Sequence, residues 1–279
     1  MRTRRSWTVS DELWAKVAPL IPKPKRVPGK RYHRKPGGGR KPVPPRRVFE
    51  AIVYALRTGC QWKALPQTQF GSPSSVHKYF LAWKRAGVFV RLWRKGLAEY
   101  DELEGIAWWW QAVDAALVKA PLAREAVGPN PTDRGKKRGT KRSLLVDGRG
   151  IPLSILVSGA ERHDVRLLEP TLDRVVCRRP RRGRRQHLCA DRGYVGAPAA
   201  RAICRRHYVP HVVPRGRGPR PRRGRRHPAR RWVVERTHSW LNRFRKLLVR
   251  FEKREMSYDA LLELACALIV YRQVIIIHG

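Results

Sequence analysis

Acidic residues are scarce in this chain: 21 Asp and Glu stand against 62 Lys and Arg over 279 residues, a formal net charge of +41. Such self-repulsion destabilises a compact fold unless a polyanion or counterions screen it, which argues against an enzyme of small neutral metabolites. Cysteine is scarce too. The five (Cys60, Cys177, Cys189, Cys204, Cys266) are odd in number, scattered and without C-x-x-C spacing. That pattern speaks against a disulfide framework or a zinc site and fits a reducing cytoplasm. Long apolar runs are missing as well. Asp11, Glu12 and Lys16 break the segment where an export signal would need its apolar core, and Glu263, Tyr271 and Arg272 interrupt Leu261–Ile277. The latter stretch is expected to be a buried helix, with no membrane as partner. There is no internal repeat. Against these absences stand 42% hydrophobic residues and ten Trp, too apolar for a disordered basic tail. The length suits one large domain or two smaller ones. A folded protein that expects phosphate is the consistent reading.

The positive charge is clustered. Residues 23–47 hold eleven Lys and Arg and no acid, with six Pro and three consecutive Gly; residues 134–142 hold six more cations; residues 174–234 hold twenty Arg and one acid, Asp191. A high-GC coding sequence would account for part of this arginine. Clusters beside apolar strands are better explained as a track for a nucleic-acid backbone, where each neutralised phosphate releases counterions.

Residues 1–106 read as helices. Ser10-Asp11 can cap a helix running to about Leu20, ended by Pro22. Val48, Ile52, Ala55 and Leu56 form a helical stripe stopped by Gly59, and Ser72-Pro73 precedes another helix through Val76, Phe80 and Trp83. The pair resembles a helix-turn-helix, with His77, Lys78, Lys84 and Arg85 able to reach DNA from the later helix. An ordinary helical bundle with solvated cations is the alternative.

From residue 107 the periodicity changes. Ala107–Val118 is apolar around a lone Asp114, and the runs Ser143–Val146 and Ile151–Val157 flank Asp147-Gly148-Arg149-Gly150, a hairpin signal. Asp164–Val176 reads as helix, His187–Ala190 as a strand ending at Asp191, Pro198–His207 as helix and Tyr208–Val213 as strand. An arginine-rich loop (214–231) follows, then one helix from Trp232 to Phe251 and a last one after Ser257. Three meandering strands followed by alternating units predict an α/β fold, a mixed sheet flanked by helices.

Three acids sit in apolar surroundings: Asp114 in a strand, Asp191 at a strand end, and Glu235 at the start of the long helix. A buried carboxylate needs a cation. Arginine would make each a structural ion pair; two Mg²⁺ or Mn²⁺ ions would make them a site, since carboxylate oxygens suit those ions and leave positions for water and phosphate. Such a pair activates a water or 3′-hydroxyl and stabilises the leaving oxygen at phosphorus. On one continuous helix Val233, Trp240, Phe244, Leu247 and Phe251 share a side, with Glu235, Ser239, Asn242 and Lys246 opposite.

Several stretches together resemble bacterial insertion-sequence transposases of the DDE type, in the branch related to insertion sequence five. They are QAVDAALVKA (111–120), GTKRSLLVDGRGIPLSILVSGAERHD (139–164), LCADRGY (188–194), RRWVVERTHSWLNRFRKL (230–247), WTVSDELWAKVAPLIP (7–22) and GCQWKALP (59–66). The resemblance implies an RNase H-like mixed sheet over 107–279, preceded by a small all-α helix-turn-helix-like domain over 1–106. It implies Asp114, Asp191 and Glu235 as a metal-binding catalytic triad. Arg231 matches the Arg of the family's Tyr-Arg-Glu-Lys signature. Pro228 stands at the Tyr position and Asn242 at the Lys position, with Arg243 and Lys246 nearby as basic substitutes on DNA. His163-Asp164 also matches a family block; Asp164 is expected to cap the following helix. The implied activity is cleavage at terminal inverted repeats and strand transfer into target DNA, by a homodimer when DNA-bound, in the cytoplasm. A DNA-binding relative without catalysis, or a structure-selective nuclease of the same fold, remains open at this point.

Overall fold

The computed structural model describes residues 7–23, 29, 31, 33, 41–180, 183, 185–212 and 232–278. Most of the basic segment 23–47, and the arginine-rich loop with Arg231, lie outside the described residues.

The chain begins as helices. Ser10 caps α1 (Asp11–Val17), its hydroxyl accepting from the Leu13 amide at 3.2 Å. Pro45 starts α2 (Pro45–Thr58), and Gly59, at φ 77°, ends it. Glycine is needed there twice over, because a Cβ would also stand 3.0 Å from the Arg245 Cβ. The short α3 (Gln67–Phe70) leads into α4 (Pro73–Arg85), where Ser72 holds the cap position without a side-chain cap bond. A further helix, α5 (Val88–Leu103), follows. Phe49, Ile52, Leu56, Val76, Phe80, Phe89 and Trp93 point inward from these helices into one continuous core that extends through the sheet.

The strands are β1 (Trp110–Lys119), β2 (Gly128–Pro129), β3 (Arg138–Asp147), β4 (Pro152–Gly159), β5 (Gln186–Ala190) and β6 (Tyr208–Val212). β1 is central. It pairs antiparallel with β3, which pairs antiparallel with β2 and β4, and parallel with β5, which pairs parallel with β6. Helices α6 (Asp164–Asp173), α7 (Ala197–Arg205) and α8 (Trp232–Asn242) cover the sheet. This is the α/β mixed sheet the sequence predicts.

The hairpin between β3 and β4 is built on Asp147, which is fully buried. One carboxylate oxygen accepts from the Arg149 and Ile151 amides at 2.9 and 2.8 Å, and the other from Ala107 at 2.9 Å. All its acceptor demand is met by backbone.

Three expectations need correction. The single helix over Trp232–Phe251 is broken: α8 stops at Asn242 and α9 (Arg245–Leu248) starts after Phe244, which is extended (φ −87°, ψ 100°). The break turns the Phe244 ring inward under the Arg57 guanidinium, 4.2 Å away. The apolar side drawn for a continuous helix therefore fails at its ends: Trp240 is half-buried and Phe251 is 51% exposed, while Val234, Thr237, His238 and Leu241 join Val233 inside. Second, Asp164 does not cap α6. His163 occupies that position, and the Asp164 carboxylate answers the otherwise buried Lys141 ammonium at 2.7 Å. Third, the final helix α10 (Glu255–His278) starts before Ser257. It is long and apolar enough to cross a membrane, but 67% of that window is buried inside the fold, largely against α5. It is the core helix the interrupted apolar run predicts.

Candidate active site

The parallel pairing of β1 and β5 sets the site. Val113 lies opposite Ala190, so Asp114 and Asp191 are the next residues in register. They stand on neighbouring strands, which are about 4.8 Å apart. β5 ends there, whereas β1 runs on, held on its other side by β3 with Leu144 opposite Asp114. Carboxyl ends of strands in open α/β sheets are where ligands gather, because the loops there diverge and leave a crevice.

Below the two acids lies Tyr194, 1% exposed. Burial, then the negative charges of Asp164, Asp114 and Asp191, hold its hydroxyl proton on far above the usual phenol range. A hydrogen bond with Ser143 opposes that shift without cancelling it. Asp164 is thus a fourth acid at this end of the sheet, which the sequence reading took for a cap. Its carboxylate lies close to the turn after Asp191, where a Cβ on Gly193 would sit 3.2 Å from Asp164 Oδ2. The sequence signal for it was its match to the family block alone.

Helix α8 packs on β1 and β3. Thr237 donates to the Gly150 carbonyl at 2.6 Å and Arg236 to the Arg149 carbonyl, fixing one flank of α8 on the hairpin. Glu235 lies about 200° around the helix from Thr237, on the opposite flank. Its stripe continues through His238 and Asn242. His238 lies beside the Asp114 carbonyl, and burial followed by the Arg142 charge lowers its pKa to about 3, so it is neutral. Asn242 accepts from Arg142 Nη2 at 2.9 Å, and Arg142 stands opposite Ala116, two residues beyond Asp114.

The structure therefore brings Asp114 and Asp191 onto neighbouring strands and leaves Glu235 exposed on α8. Among the described residues no three His, Cys, Asp or Glu side chains gather closely enough to hold a metal ion. The donor chemistry around Asp114 and Asp191 is nonetheless hard, carboxylate oxygens with the Tyr194 hydroxyl beside them, and suits Mg²⁺ or Mn²⁺.

The basic residues divide. Lys78 and Arg85 are exposed on α4, and Arg243 is exposed on the turn after α8. Lys84 is turned inward, its ammonium 2.6 Å from Asp259 and 2.7 Å from Glu263 on α10. Lys246 is 5% exposed and donates to the Cys60 carbonyl at 2.8 Å, with Glu252 at 3.6 Å. Both were expected on DNA; both instead compensate acids and carbonyls that tertiary packing buries.

Comparison with known proteins gives the family. The family described as "Putative transposase of IS4/5 family" matches residues 9–93, and the transposase DDE domain matches residues 111–270, more than half of the chain. Over 155 residues the chain is 39% identical to "Putative transposase for insertion sequence element IS402" of Burkholderia cepacia, covering 53% of this chain and 70% of that protein. A second Burkholderia cepacia protein, "Insertion element IS402 uncharacterized 16.2 kDa protein", is 32% identical over 124 residues, 44% of this chain and 80% of its own length. Among solved structures, the Mos1 transposase paired-end complex with left transposon end aligns over 84% of this chain and 82% of its own at 12% identity, with a TM-score of 0.27, too loose a likeness to define a fold. With both family matches and the IS402 identity in hand, the chain belongs to the insertion-sequence transposases that carry the DDE domain.

Proposed function

We propose that this transposase cuts DNA at the terminal inverted repeats of its element and joins the freed 3′-hydroxyl to target DNA, with Asp114, Asp191 and Glu235 as the metal-binding acids. The observation that carries this reading is the β1–β5 register, which makes Asp114 and Asp191 neighbours where β5 ends. Glu235 completes the set from the stripe of α8 whose later members reach Asp114 and Arg142. A bound pair of Mg²⁺ or Mn²⁺ ions supplies an activated oxygen nucleophile and charge neutralisation at phosphorus. The protein's own part is to hold the two strand carboxylates at fixed spacing, to keep His238 neutral beside Asp114, and to keep the Tyr194 hydroxyl protonated as a donor. Residues 1–106 form the DNA-recognition portion, with Lys78 and Arg85 on phosphates, and residues 107–279 the catalytic portion, with Arg231 and Arg243 along the DNA. Cleavage at two ends calls for a homodimer on DNA, acting in the cytoplasm.

The test incubates full-length protein with a labelled duplex carrying the terminal repeat, in Mg²⁺ or in EDTA. A metal-dependent 3′-hydroxyl product joined to a second duplex is expected. Nicking without joining makes the protein a nuclease of the same fold; salt-sensitive binding without any cut makes it a DNA-binding relative. Glu235→Gln is expected to abolish cleavage with binding retained, and substantial cleavage by that variant removes Glu235 from the set.

A further inference from the structure

A cleft of about 910 Å³ opens where the turn Trp62–Ala64, helix α4 and the loop 251–254 meet. Its place in the fold is definite. The Arg250 amide donates to the Lys119 carbonyl at 2.8 Å and the Arg124 amide to the Lys253 carbonyl at 2.9 Å, so the loop is laced to the end of β1, five residues beyond Asp114. The GCQWKALP stretch, which the catalytic reading leaves unused, supplies one wall.

The lining is an unusual mixture. Leu122 and Phe251, each 51% exposed, present large apolar surfaces at the opening. Behind them Trp62 packs against both His77 and Phe80, with ring centroids 5.1 and 4.8 Å away. The acid in the lining, Glu252, is already answered: Trp62 Nε1 donates to it at 3.1 Å and Lys246 Nζ lies at 3.6 Å. The rim is cationic, with Lys63, Lys253 and Arg254 all exposed. An apolar peptide would find no use for that rim, and a free anion would find no use for the aromatic surface. A strand of DNA uses both: bases stack on side chains while phosphates meet lysine and arginine.

We infer that this cleft takes unpaired nucleobases of a DNA strand as it leaves the duplex, with Phe251 as the stacking platform and Lys63, Lys253 and Arg254 on the phosphates. Stacking reads no sequence, since every base has a π-face, so the site is selective for unpaired DNA and not for a base identity. The inference extends the DNA-handling reading above, and it needs none of the three acids.

Fluorescence anisotropy in EDTA, where no cutting occurs, tests it with the full-length protein. The probes are a blunt duplex and the same duplex with a six-thymidine 3′ overhang. The overhang duplex is expected to bind about tenfold tighter. Phe251→Ala should erase that preference while leaving blunt-duplex affinity and the melting temperature unchanged, and Phe251→Trp should keep it. Lys63→Ala with Lys253→Ala should lower overhang affinity and flatten its salt dependence by about 0.7 per lost phosphate contact. No preference in the wild type, or a preference that survives both the Phe251→Ala and the lysine variants, overturns the inference. So does a change of oligomeric state in Phe251→Ala with the preference intact, which would give the cleft to a second copy of the chain. Failure to bind either duplex would sink the DNA-handling reading as well, whereas blunt binding without preference sinks the cleft alone.

Discussion

Two parts of the same sheet carry acids in apolar surroundings, Asp147 fully buried and Asp114 with Asp191 half-buried, and they are held in different ways. At the hairpin end Asp147 is fully buried and every demand of its carboxylate is met by three backbone amides. Around Asp114 and Asp191 the neighbours are other ionisable side chains, and their titration is displaced. Tyr194 holds its proton far above the usual phenol range and His238 stays neutral well below the usual imidazole range, both chiefly through burial. An acid saturated by backbone builds the fold; ionisable neighbours shifted by burial and by one another mark the candidate site.

The contrast can be broken by substitution. Asp114→Asn and Asp191→Asn should each lower cleavage by about a thousandfold or more, because several kcal/mol of charge stabilisation at phosphorus depend on those oxygens. Thermal denaturation should show little loss. Asp147→Asn should do the reverse. Its amide would set a donor against a backbone N–H, costing about 1–3 kcal/mol of stability, while cleavage per folded molecule stays unchanged. Equal loss of activity in all three variants would erase the distinction.

Lys84 sharpens the same comparison for cations. Lys84→Met removes the cation from the Asp259 and Glu263 carboxylates on α10 and should cost about 3–5 kcal/mol in urea unfolding. Burial holds the Glu263 proton on more tightly than usual, so uptake of a proton there should soften the loss below neutral pH. Arg85→Ala, one residue on, should leave stability alone and weaken DNA binding with a shallower salt slope. A large DNA defect in Lys84→Met at full stability would return Lys84 to the interface.

Asp164 tests how far the active end extends. Asp164→Asn keeps the shape but loses the pairing with Lys141 and the negative charge beside Tyr194, and should cost about 10–100-fold in cleavage, as partners of ligating groups do. Added Mg²⁺ should recover part of it, which a purely structural role would not allow.

The smallest effect is expected from His238. Its pKa is lowered to about 3 from the ordinary 6.5, chiefly by burial. Between those values the unfolded chain binds a proton that the folded one refuses, so stability rises with pH. The contribution is complete above about 6.5 and drains away as the pH falls toward 3. His238→Leu should flatten the pH dependence of the urea midpoint over that window, and an unchanged slope would mean that the ring is solvated.

Most of the fold was legible because its signals are local. Gly59 stops α2, the Asp147–Gly150 turn closes a hairpin, and short apolar runs became β3, β4, β5 and β6. The errors have a common cause. The break at Phe244 is set by where its ring finds a hole beside Arg57, which no periodicity records. Lys84 and Lys246 look like surface cations until α10 and the 59–66 stretch are folded over them. The two strand acids are singled out by their apolar neighbours, yet Asp164 and Tyr194 join the site only because α6 packs against the turn that follows β5.

By itself the sequence determined the class of the molecule, a basic α/β protein of the DDE type, since charge balance, strand and helix periods and family blocks are properties of nearest neighbours in the chain. Which side chains meet was decided by the tertiary structure alone. Asp114 and Asp191 are 77 positions apart and their charges act on the same tyrosine through a strand register, while Lys84 is withdrawn by a helix about 175 residues away. Register and packing are set by mutual burial across the whole core, and that sum has no local signature.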